Sequence, residues 1–563
     1  MFKKFLTILC IITACTAPVF AVPANGNKMV KVGISDAKFQ NYYFTKTVVS
    51  ATDRFRLIDK STNSLVSEFD ADTKVKIEIK DNLFTVSQED DSILAKNLAG
   101  PIVVESANGY VTVADLKRAG KPAYYRGVFE ITKVPKKDNQ FNVINILDVE
   151  SYLKGVVPNE MPVRFGLEAL KAQAVLARNY VLKPRERNYH NFDVCDSVAC
   201  QVYYGANTEQ ELSDRAVFET EDIVAMNEGE LILALYSSTA GGYTESFENA
   251  FSTDLSNGTR LFPGAPKPYL KGVPDKKDIP VLSDEKAARE FYTTEPKTFD
   301  NASPYFRWKK EWEKTELENI LKKTLKTQSA AGFVYPKFTN PEDFGSLKDI
   351  KVSRRGVSGK AMCVDIYTDK GKFSVQKELP IRRAFQKNNI SLPSANVVFD
   401  FVTEKPDSVN KHAKPVTKIV ARGGGFGHGV GMSQYGAGEM AKQGYGYEDI
   451  IQHYFTNTAI TTFPVELSNK TGKDTASQIF YTKEKKAFLV VENKFQFTKL
   501  TIVLNGKELR VEMIPSLFGC EKFDISKYIK KGENKITYIL PYSDLHKKPV
   551  RMYVEIREAA NEQ

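Results

Sequence analysis

Apolar and polar residues alternate in short runs through the first third of this 563-residue chain. The clearest run is Val75-Lys76-Ile77-Glu78-Ile79, and similar runs, separated by Asp, Asn and Ser turns, recur as far as Leu147. A period of two sends alternate side chains to opposite faces of a strand, so that one face can be buried. The alternation therefore predicts that the first part of the fold is rich in β-strands.

A helical period follows this β-rich part. Four apolar residues recur at helical spacing and form one face: Leu170, Ala174, Ala177 and Val181. They predict a helix that begins near Leu167, after a loop from Pro158 to Pro162. A charged stretch at residues 284–327 is also predicted to be helical. We therefore predict an α+β fold, with a mixed β-rich core whose helices line a cleft and a C-terminal all-β domain like a sandwich.

Shifts in composition divide the chain into parts. The expected parts are a signal peptide at 1–21, an N-terminal β-rich part at 29–112, a central region at 113–464 that includes the helical insertion, and a C-terminal β-domain at 478–563. The last part contains a strand that begins at Leu500 and runs into an Asn-Gly turn. It weakly resembles the galactose-binding-like β-sandwich modules of many glycosidases. A purely structural β-domain is the alternative.

The first residues are typical of an export signal. A Lys-Lys pair precedes an apolar stretch from Phe5 to Ala14, and Val19-Phe20-Ala21 offers a plausible cleavage point. The stretch is too short for a good transmembrane span. A competing interpretation is a lipoprotein, because the run ending at Cys15 resembles a lipobox, and a lipidated Cys15 would anchor the chain. A buried N-terminal helix is the remaining alternative.

The net charge of +10 is spread along the chain. A basic exported protein suits an anionic envelope of wall polymers or lipid headgroups. The sequence has no clustered basic stripe with interleaved aromatic residues, so nucleic acid is not predicted as a partner. A solvated surface with some excess lysine is the simpler interpretation.

Glu160 is the candidate catalytic residue. It lies between Pro158 and Pro162, which fix the backbone on either side, and its near neighbours include Val157 and Met161. Apolar surroundings raise the pKa of a carboxyl group, as a general acid at neutral pH requires. The alternative is that Glu160 is a charge at the start of a helix, stabilised by the helix dipole.

A glycine-dense segment runs from Arg422 to Gly446. Its glycines permit close backbone approach, which suits the floor of a cleft. The segment lacks the strand–loop–Lys-Ser/Thr arrangement of a phosphate-binding loop. Candidate hydrogen-bonding residues within it are His428, Ser433, Gln434 and Tyr435. His428 is as well explained as a structural histidine.

Several blocks in the same order identify a family resemblance. They are Tyr125-Arg126-Gly127, Gly155 to Pro162 with Glu168 to Tyr180, Asp193 to Tyr203, Tyr236 to Thr244, Arg354 to Gly359, and Gly425 to Ala437. This pattern closely resembles the stage II sporulation protein D family, also called the amidase-enhancer family. The resemblance covers roughly Lys31 to Pro464.

The resemblance implies a peptidoglycan lytic transglycosylase. Glu160 matches the family's glutamate, which protonates the glycosidic oxygen between N-acetylmuramic acid (MurNAc) and N-acetylglucosamine (GlcNAc). It then takes the proton of the muramic acid 6-hydroxyl, so one carboxyl serves where other glycosidases need two. The preferred substrate is glycan stripped of stem peptides by an amidase. The alternative function is a non-catalytic wall-binding protein that enhances an amidase.

The resemblance also implies substrate-binding residues around Glu160. On the matched blocks these are Gln173, Arg178, Tyr203, Ser238, Thr239, His428, Ser433, Gln434 and Tyr435. For Gln173 and Arg178 a role in orienting Glu160, or as buried network residues, is equally open.

A possible metal site is formed by His190, Cys195 and Cys200, spaced H-x4-C-x4-C. Some family members bind zinc here with a second histidine directly before the second cysteine, but this chain has Ala199 at that position. Three ligands leave a structural zinc site incomplete. A Cys195–Cys200 disulfide and free thiols are the alternatives. The chemistry itself is expected to need no cofactor.

Overall fold

The computed structural model describes residues 28–183, 189–255, 260–403, 416–467, 475–482, 486–492, 498–513, 520–540 and 550–556. The predicted signal peptide at 1–21 and the candidate anchor Cys15 lie outside these residues. Within the described ranges, no helix is long and apolar enough to cross a membrane.

Strands occupy the N-terminal part of the chain, as the alternation predicts. They are β1 (Met29–Ile34), β2 (Lys46–Ala51), β3 (Phe55–Asp59), β4 (Ser64–Phe69), β5 (Val75–Lys80), β6 (Leu83–Gln88), β7 (Ile93–Leu98), β8 (Ile102–Ser106), β9 (Val111–Val113), β10 (Lys117–Arg118), β11 (Lys121–Pro122), β12 (Val128–Lys133) and β13 (Phe141–Asp148). Strand β5 buries Val75, Ile77 and Ile79 on one face. One five-stranded sheet has the order β7-β6-β5-β2-β9.

Helices and short strands follow as far as the end of the first half. They are α1 (Val149–Lys154), α2 (Val157–Glu160), α3 (Leu167–Leu182), β14 (Val194–Cys195), α4 (Glu211–Phe218), β15 (Ile223–Asn227), β16 (Glu230–Leu231), β17 (Tyr236–Ser237), α5 (Phe247–Ala250), β18 (Thr253–Asp254) and β19 (Arg260–Leu261). Strand β14 completes the seven-stranded sheet β14-β1-β13-β12-β8-β3-β4.

Helix α3 is the central helix of the site region. Its predicted start near Leu167 is confirmed, and its residues from Ala169 to Asn179 are all buried. The segment from Pro158 to Pro162 was predicted to be a loop, and this is wrong in part, because Val157–Glu160 form the short helix α2. A proline in the first turn of a helix removes no hydrogen bond, because the backbone N–H groups of that turn have no partner within the helix.

The second half of the central region has its own core. Its elements are α6 (Glu285–Thr293), β20 (Trp308–Glu313), α7 (Lys314–Ala330), β21 (Val334–Tyr335), β22 (Leu347–Arg355), β23 (Ala361–Thr368), β24 (Gly371–Gln376), α8 (Glu378–Ala384), β25 (Val397–Thr403) and β26 (Val416–Gly423). Trp312, Leu321 and Ile366 belong to a hydrophobic cluster of this part. The stretch 284–327, predicted to be helical, also contains β20, because Trp308 to Glu313 pair with β26.

The remaining elements, which follow the glycine-dense segment or belong to it, are mostly strands. They are β27 (Met432–Ser433), α9 (Gln434–Lys442), α10 (Tyr447–Tyr454), β28 (Ala459–Thr462), β29 (Val465–Leu467), β30 (Thr475–Thr482), β31 (Ala487–Glu492), β32 (Thr498–Leu504), β33 (Lys507–Met513), β34 (Cys520–Asp524), β35 (Gly532–Ile539) and β36 (Val550–Ile556). One C-terminal sheet has the order β30-β35-β32-β33, whereas β36, β31 and β34 extend a sheet that begins with β16, β15 and β28. The chain thus combines helices with several sheets, which confirms the predicted α+β class.

Candidate functional site

A cavity of about 640 Å³ lies where α2, α5, β17 and the glycine-dense segment meet. Its volume falls within the range of about 300–1,000 Å³ typical of small-molecule sites. Its lining includes Glu160, Tyr180, Val198, Cys200, Val202, Leu235, Tyr236, Ser238, Phe247, Phe251, Phe426, His428 and Gln434. Apolar and aromatic side chains therefore surround a small number of polar groups.

Glu160 is the one carboxylate among the described residues that line this cavity. It ends α2, and its Oε1 accepts a hydrogen bond of 2.5 Å from the backbone N–H of Val202. Burial raises the pKa of Glu160 to about 7, although the Val202 N–H opposes part of that rise. Near neutral pH the carboxyl group can therefore both give and take a proton.

Gln434 connects Glu160 to two helices. Its Nε2 donates to the backbone oxygen of Glu160 at 2.7 Å and to Oε1 of Gln173 at 3.2 Å. Gln173 is a fully buried residue of α3, and Gln434 is the first residue of α9. These contacts tie the end of α2, which carries Glu160, to α3 and α9.

Glycine at position 431 lets the glycine-dense segment approach the cavity. Gly431 has a φ of +73°, and a Cβ atom there would lie 2.1 Å from the backbone oxygen of Leu235. The close approach allows β27 to pair with β17 in parallel, with Met432 opposite Tyr236. It brings Gln434, which directly follows β27, to the cavity wall.

His428 lines the cavity as a neutral residue. Its Nδ1 accepts a hydrogen bond of 3.1 Å from the N–H of Val430. Burial, together with the positive charges of Lys360 and Arg382, lowers the pKa of His428 to about 3. At neutral pH it can donate or accept a hydrogen bond but brings no charge to a substrate.

The other predicted substrate-binding residues divide into two groups. Ser238 lines the cavity. Four others are buried and do not line it: Arg178, Tyr203, Thr239 and Ser433. Tyr435 does not line the cavity either. Its ring packs edge-on against the ring of Phe165, with the two centroids 4.9 Å apart.

Two of the buried residues make polar contacts within the protein. Arg178 binds both carboxylate oxygens of Glu150, at 2.8 and 2.5 Å. The Tyr203 hydroxyl donates to Asn145 Oδ1 at 2.8 Å. The polar groups of Arg178 and Tyr203 are therefore used within the protein, and substrate contacts of the buried residues stay a prediction.

Sequence reasoning missed several residues of the cavity wall. Tyr236 lines the cavity, and its hydroxyl accepts a hydrogen bond of 2.9 Å from Gln201, which in turn accepts one of 3.1 Å from Tyr152. Phe247 and Phe251 stack on each other at the short helix α5. Tyr236 was present in a matched block, but no local signal marks the two phenylalanines as wall residues.

The residues proposed for zinc do not fit that ion. Cys195 Sγ and Cys200 Sγ lie 2.9 Å apart, but His190 is exposed on the surface. Across the ranges that the structure describes, no three His, Cys, Asp or Glu side chains are placed to hold a metal. A structural zinc site needs four ligands, and this chain has Ala199 where the resemblance implies a second histidine.

Oxidation is expected to link Cys195 to Cys200. A hydrogen bond between the two sulphurs lowers the pKa of Cys195 to about 4, so that a thiolate is available. Treatment with oxidised glutathione should remove two hydrogens from the protein mass, and purified protein should contain less than one zinc per chain. The mass change should vanish in Cys200→Ser and persist in Cys363→Ser. Stoichiometric zinc that is lost in His190→Ala would contradict this expectation.

Two family models match the chain. Residues 137–226 match one described as Stage II sporulation protein, and residues 256–431 match Domain of unknown function (DUF8618). The first range contains Glu160 and Gln173. The second contains Phe426 and His428, so the cavity is built from both ranges.

Named relatives agree with the first match. An amidase enhancer of Bacillus subtilis (strain 168) is 30% identical over 322 residues, 55% of this chain and 40% of that protein. Stage II sporulation protein D of the same organism is 27% identical over 331 residues, 56% of this chain and 75% of that protein. An uncharacterised protein of Brachyspira hyodysenteriae is 28% identical over 335 residues, 59% of this chain and 71% of that protein. The match thus spans less than half of the amidase enhancer.

Proposed function

Because this chain belongs to the stage II sporulation protein D and amidase-enhancer family, we propose that it is an exported peptidoglycan lytic transglycosylase. Its substrate is the glycan strand after removal of the stem peptides, and it cleaves the bond between MurNAc and GlcNAc. The new end is a 1,6-anhydro-MurNAc. This substrate requires a location in the periplasm or cell envelope, either free or anchored through a lipidated Cys15.

In the proposed reaction, Glu160 acts first as an acid and then as a base. Its proton passes to the glycosidic oxygen as the bond from that oxygen to C1 of MurNAc breaks. The 6-hydroxyl oxygen of the same MurNAc bonds to C1, and its proton returns to the Glu160 carboxylate. No water is consumed, and Glu160 ends protonated as it began.

One observation carries this proposal. Glu160 is the one carboxylate among the described wall residues of the cavity, and burial raises its pKa to about 7. An ordinary glycosidase uses two carboxyl groups that flank the bond. A lone carboxyl group suits a reaction in which the substrate supplies its own nucleophile.

Digestion of glycan strands tests the proposed reaction. Peptidoglycan is first treated with an amidase to remove stem peptides, then incubated with the purified protein, and the products are analysed by mass spectrometry. Anhydromuramic ends are the expected result. Their absence, with the substrate shown to be intact and soluble, would overturn the proposed activity.

The rate of cleavage is expected to fall at alkaline pH. The first step needs the protonated form of Glu160, and with a pKa of about 7 that form declines above neutrality. The rate under single-turnover conditions should drop by about tenfold for each pH unit well above that value. Initial rates of anhydromuramic product between mildly acidic and alkaline pH measure this. A flat profile would contradict Glu160 as the acid.

An amidase-enhancing role is the second candidate. A relative named as an amidase enhancer favours it. In this role the chain binds wall glycan and stimulates an N-acetylmuramoyl-L-alanine amidase without cleaving the strand itself. Stimulation of a purified amidase by both wild-type protein and Glu160→Gln, without anhydro product from either, would support this role over the first.

A further inference from the structure

Two aromatic rings form an exposed pair at the mouth of the Glu160 cavity. The rings of Tyr305 and Phe426 stack with centroids 4.4 Å apart and planes inclined by 30°. Each side chain remains 39% exposed, and Phe426 also lines the cavity. Burial of a large aromatic side chain away from water is strongly favourable, so an exposed stacked pair beside a cleft indicates a surface that a ligand covers.

Backbone hydrogen bonds fix the Tyr305 side of the pair. The Tyr305 N–H donates to Ser303 Oγ at 3.1 Å, and Ser303 Oγ lies 2.6 Å from Thr239 Oγ1. The backbone oxygen of Tyr305 accepts a bond of 2.8 Å from the N–H of Gly425. The loop that carries Tyr305 is therefore tied to the glycine-dense segment.

The Phe426 side is fixed in the same way. Phe426 exchanges backbone hydrogen bonds with Thr239, at 2.9 Å for its own N–H and 3.2 Å for the reverse bond. The backbone segments that carry the two rings are thus held in place before any ligand binds. A rigid surface loses little conformational entropy on binding, which favours affinity.

We propose that Tyr305 and Phe426 form a platform for a sugar ring of the glycan strand, beyond the two rings that flank the bond cleaved at Glu160. This proposal rests on the proposed function, because it assumes that a glycan strand occupies the cavity. One face of a pyranose ring carries C–H groups that are apolar and slightly positive, and an aromatic face is slightly negative. Aromatic rings at the mouth of the cavity therefore suit the next sugar along the strand.

The shape of the site supports a strand rather than a single sugar. The cavity of about 640 Å³ is lined by both Glu160 and Phe426, so one ring of the platform shares a surface with the catalytic candidate. Tyr305 comes from the range 256–431, which matches a domain of unknown function. The platform therefore gives that range a part in holding the strand.

Binding of glycan fragments of two lengths tests the platform. All proteins carry Glu160→Gln to prevent turnover, and amidase-treated disaccharide and octasaccharide fragments are titrated by calorimetry. Tyr305→Ala should weaken octasaccharide binding roughly tenfold, or about 1.4 kcal/mol, and leave disaccharide binding unchanged. Tyr305→Phe, which keeps the ring, should bind like the parent. Tyr445→Ala is the matched control, because Tyr445 is 41% exposed and contacts Phe299, which, unlike Phe426, does not line the cavity.

The outcomes separate this proposal from the proposed function. Equal octasaccharide affinity in Tyr305→Ala and its parent would overturn the platform, even if wild-type protein makes anhydromuramic ends. An equal loss for both fragment lengths would also overturn it, since that result indicates general damage. If wild-type protein makes no anhydro product while Tyr305→Ala selectively weakens octasaccharide binding, the platform is supported and the proposed activity fails.

Discussion

Glu160→Gln is expected to reduce the formation of anhydromuramic ends by about 10²- to 10⁴-fold, the usual contribution of a general acid–base. The glutamine side chain has nearly the same shape and can still accept the hydrogen bond from the Val202 N–H. It cannot donate a proton to a leaving oxygen or take one from a hydroxyl group. The structure of the cavity should therefore be kept while the formation of anhydromuramic ends is lost. Mass spectrometry of digested glycan strands measures that loss.

A nearby carboxylate provides the matched control. Glu248 lies in α5, next to the wall residue Phe247, but does not line the cavity itself. Glu248→Gln should give product at the wild-type rate. Product from Glu160→Gln at the same rate as wild type would remove Glu160 as the acid.

Arg118→Met is expected to lower the free energy of unfolding by about 3–5 kcal/mol, the usual cost of leaving one buried charge unpaired. Arg118 Nη2 lies 2.7 Å from Asp196 Oδ2, and both side chains are fully buried. The same nitrogen donates to the backbone oxygen of Ser35 at 2.9 Å. Urea denaturation followed by circular dichroism measures the loss.

The same substitution is expected to disturb the site. The Asp196 backbone oxygen accepts a hydrogen bond of 3.2 Å from the N–H of Tyr203, the residue after Val202. The pair with Arg118 therefore helps to hold the segment that binds Glu160. Some loss of product formation should accompany the loss of stability.

An exposed ion pair provides the comparison. Arg54 and Asp70 lie 3.3 Å apart with side chains 85% and 84% exposed. Arg54→Met should change the free energy of unfolding by no more than about 1 kcal/mol, because water screens such pairs. An Arg118→Met effect as small as that of Arg54→Met would show that Asp196 is satisfied without its partner.

Local patterns predicted much of the fold. The alternation in Val75–Lys80 and the helical period in Leu167–Leu182 identify their elements because each depends on neighbouring residues alone. The strand Trp308–Glu313 was missed inside a charged stretch, since its pairing partner, Val416–Gly423, lies about a hundred residues away. The joining of C-terminal strands to those of the central region likewise depends on partners distant in sequence.

The sequence by itself determined the α+β class, the family and the candidacy of Glu160, because ordered motifs and apolar neighbours are local properties. Only the tertiary structure decided which side chains share the cavity with Glu160. Gln434 donates a hydrogen bond to Glu160 from 274 positions away in the sequence. Tyr305 stacks on Phe426 at the mouth of the cavity, whereas Arg178 binds Glu150 and does not line the cavity. The packing of distant segments determines the partners of a side chain, and the local sequence around that side chain does not predict them.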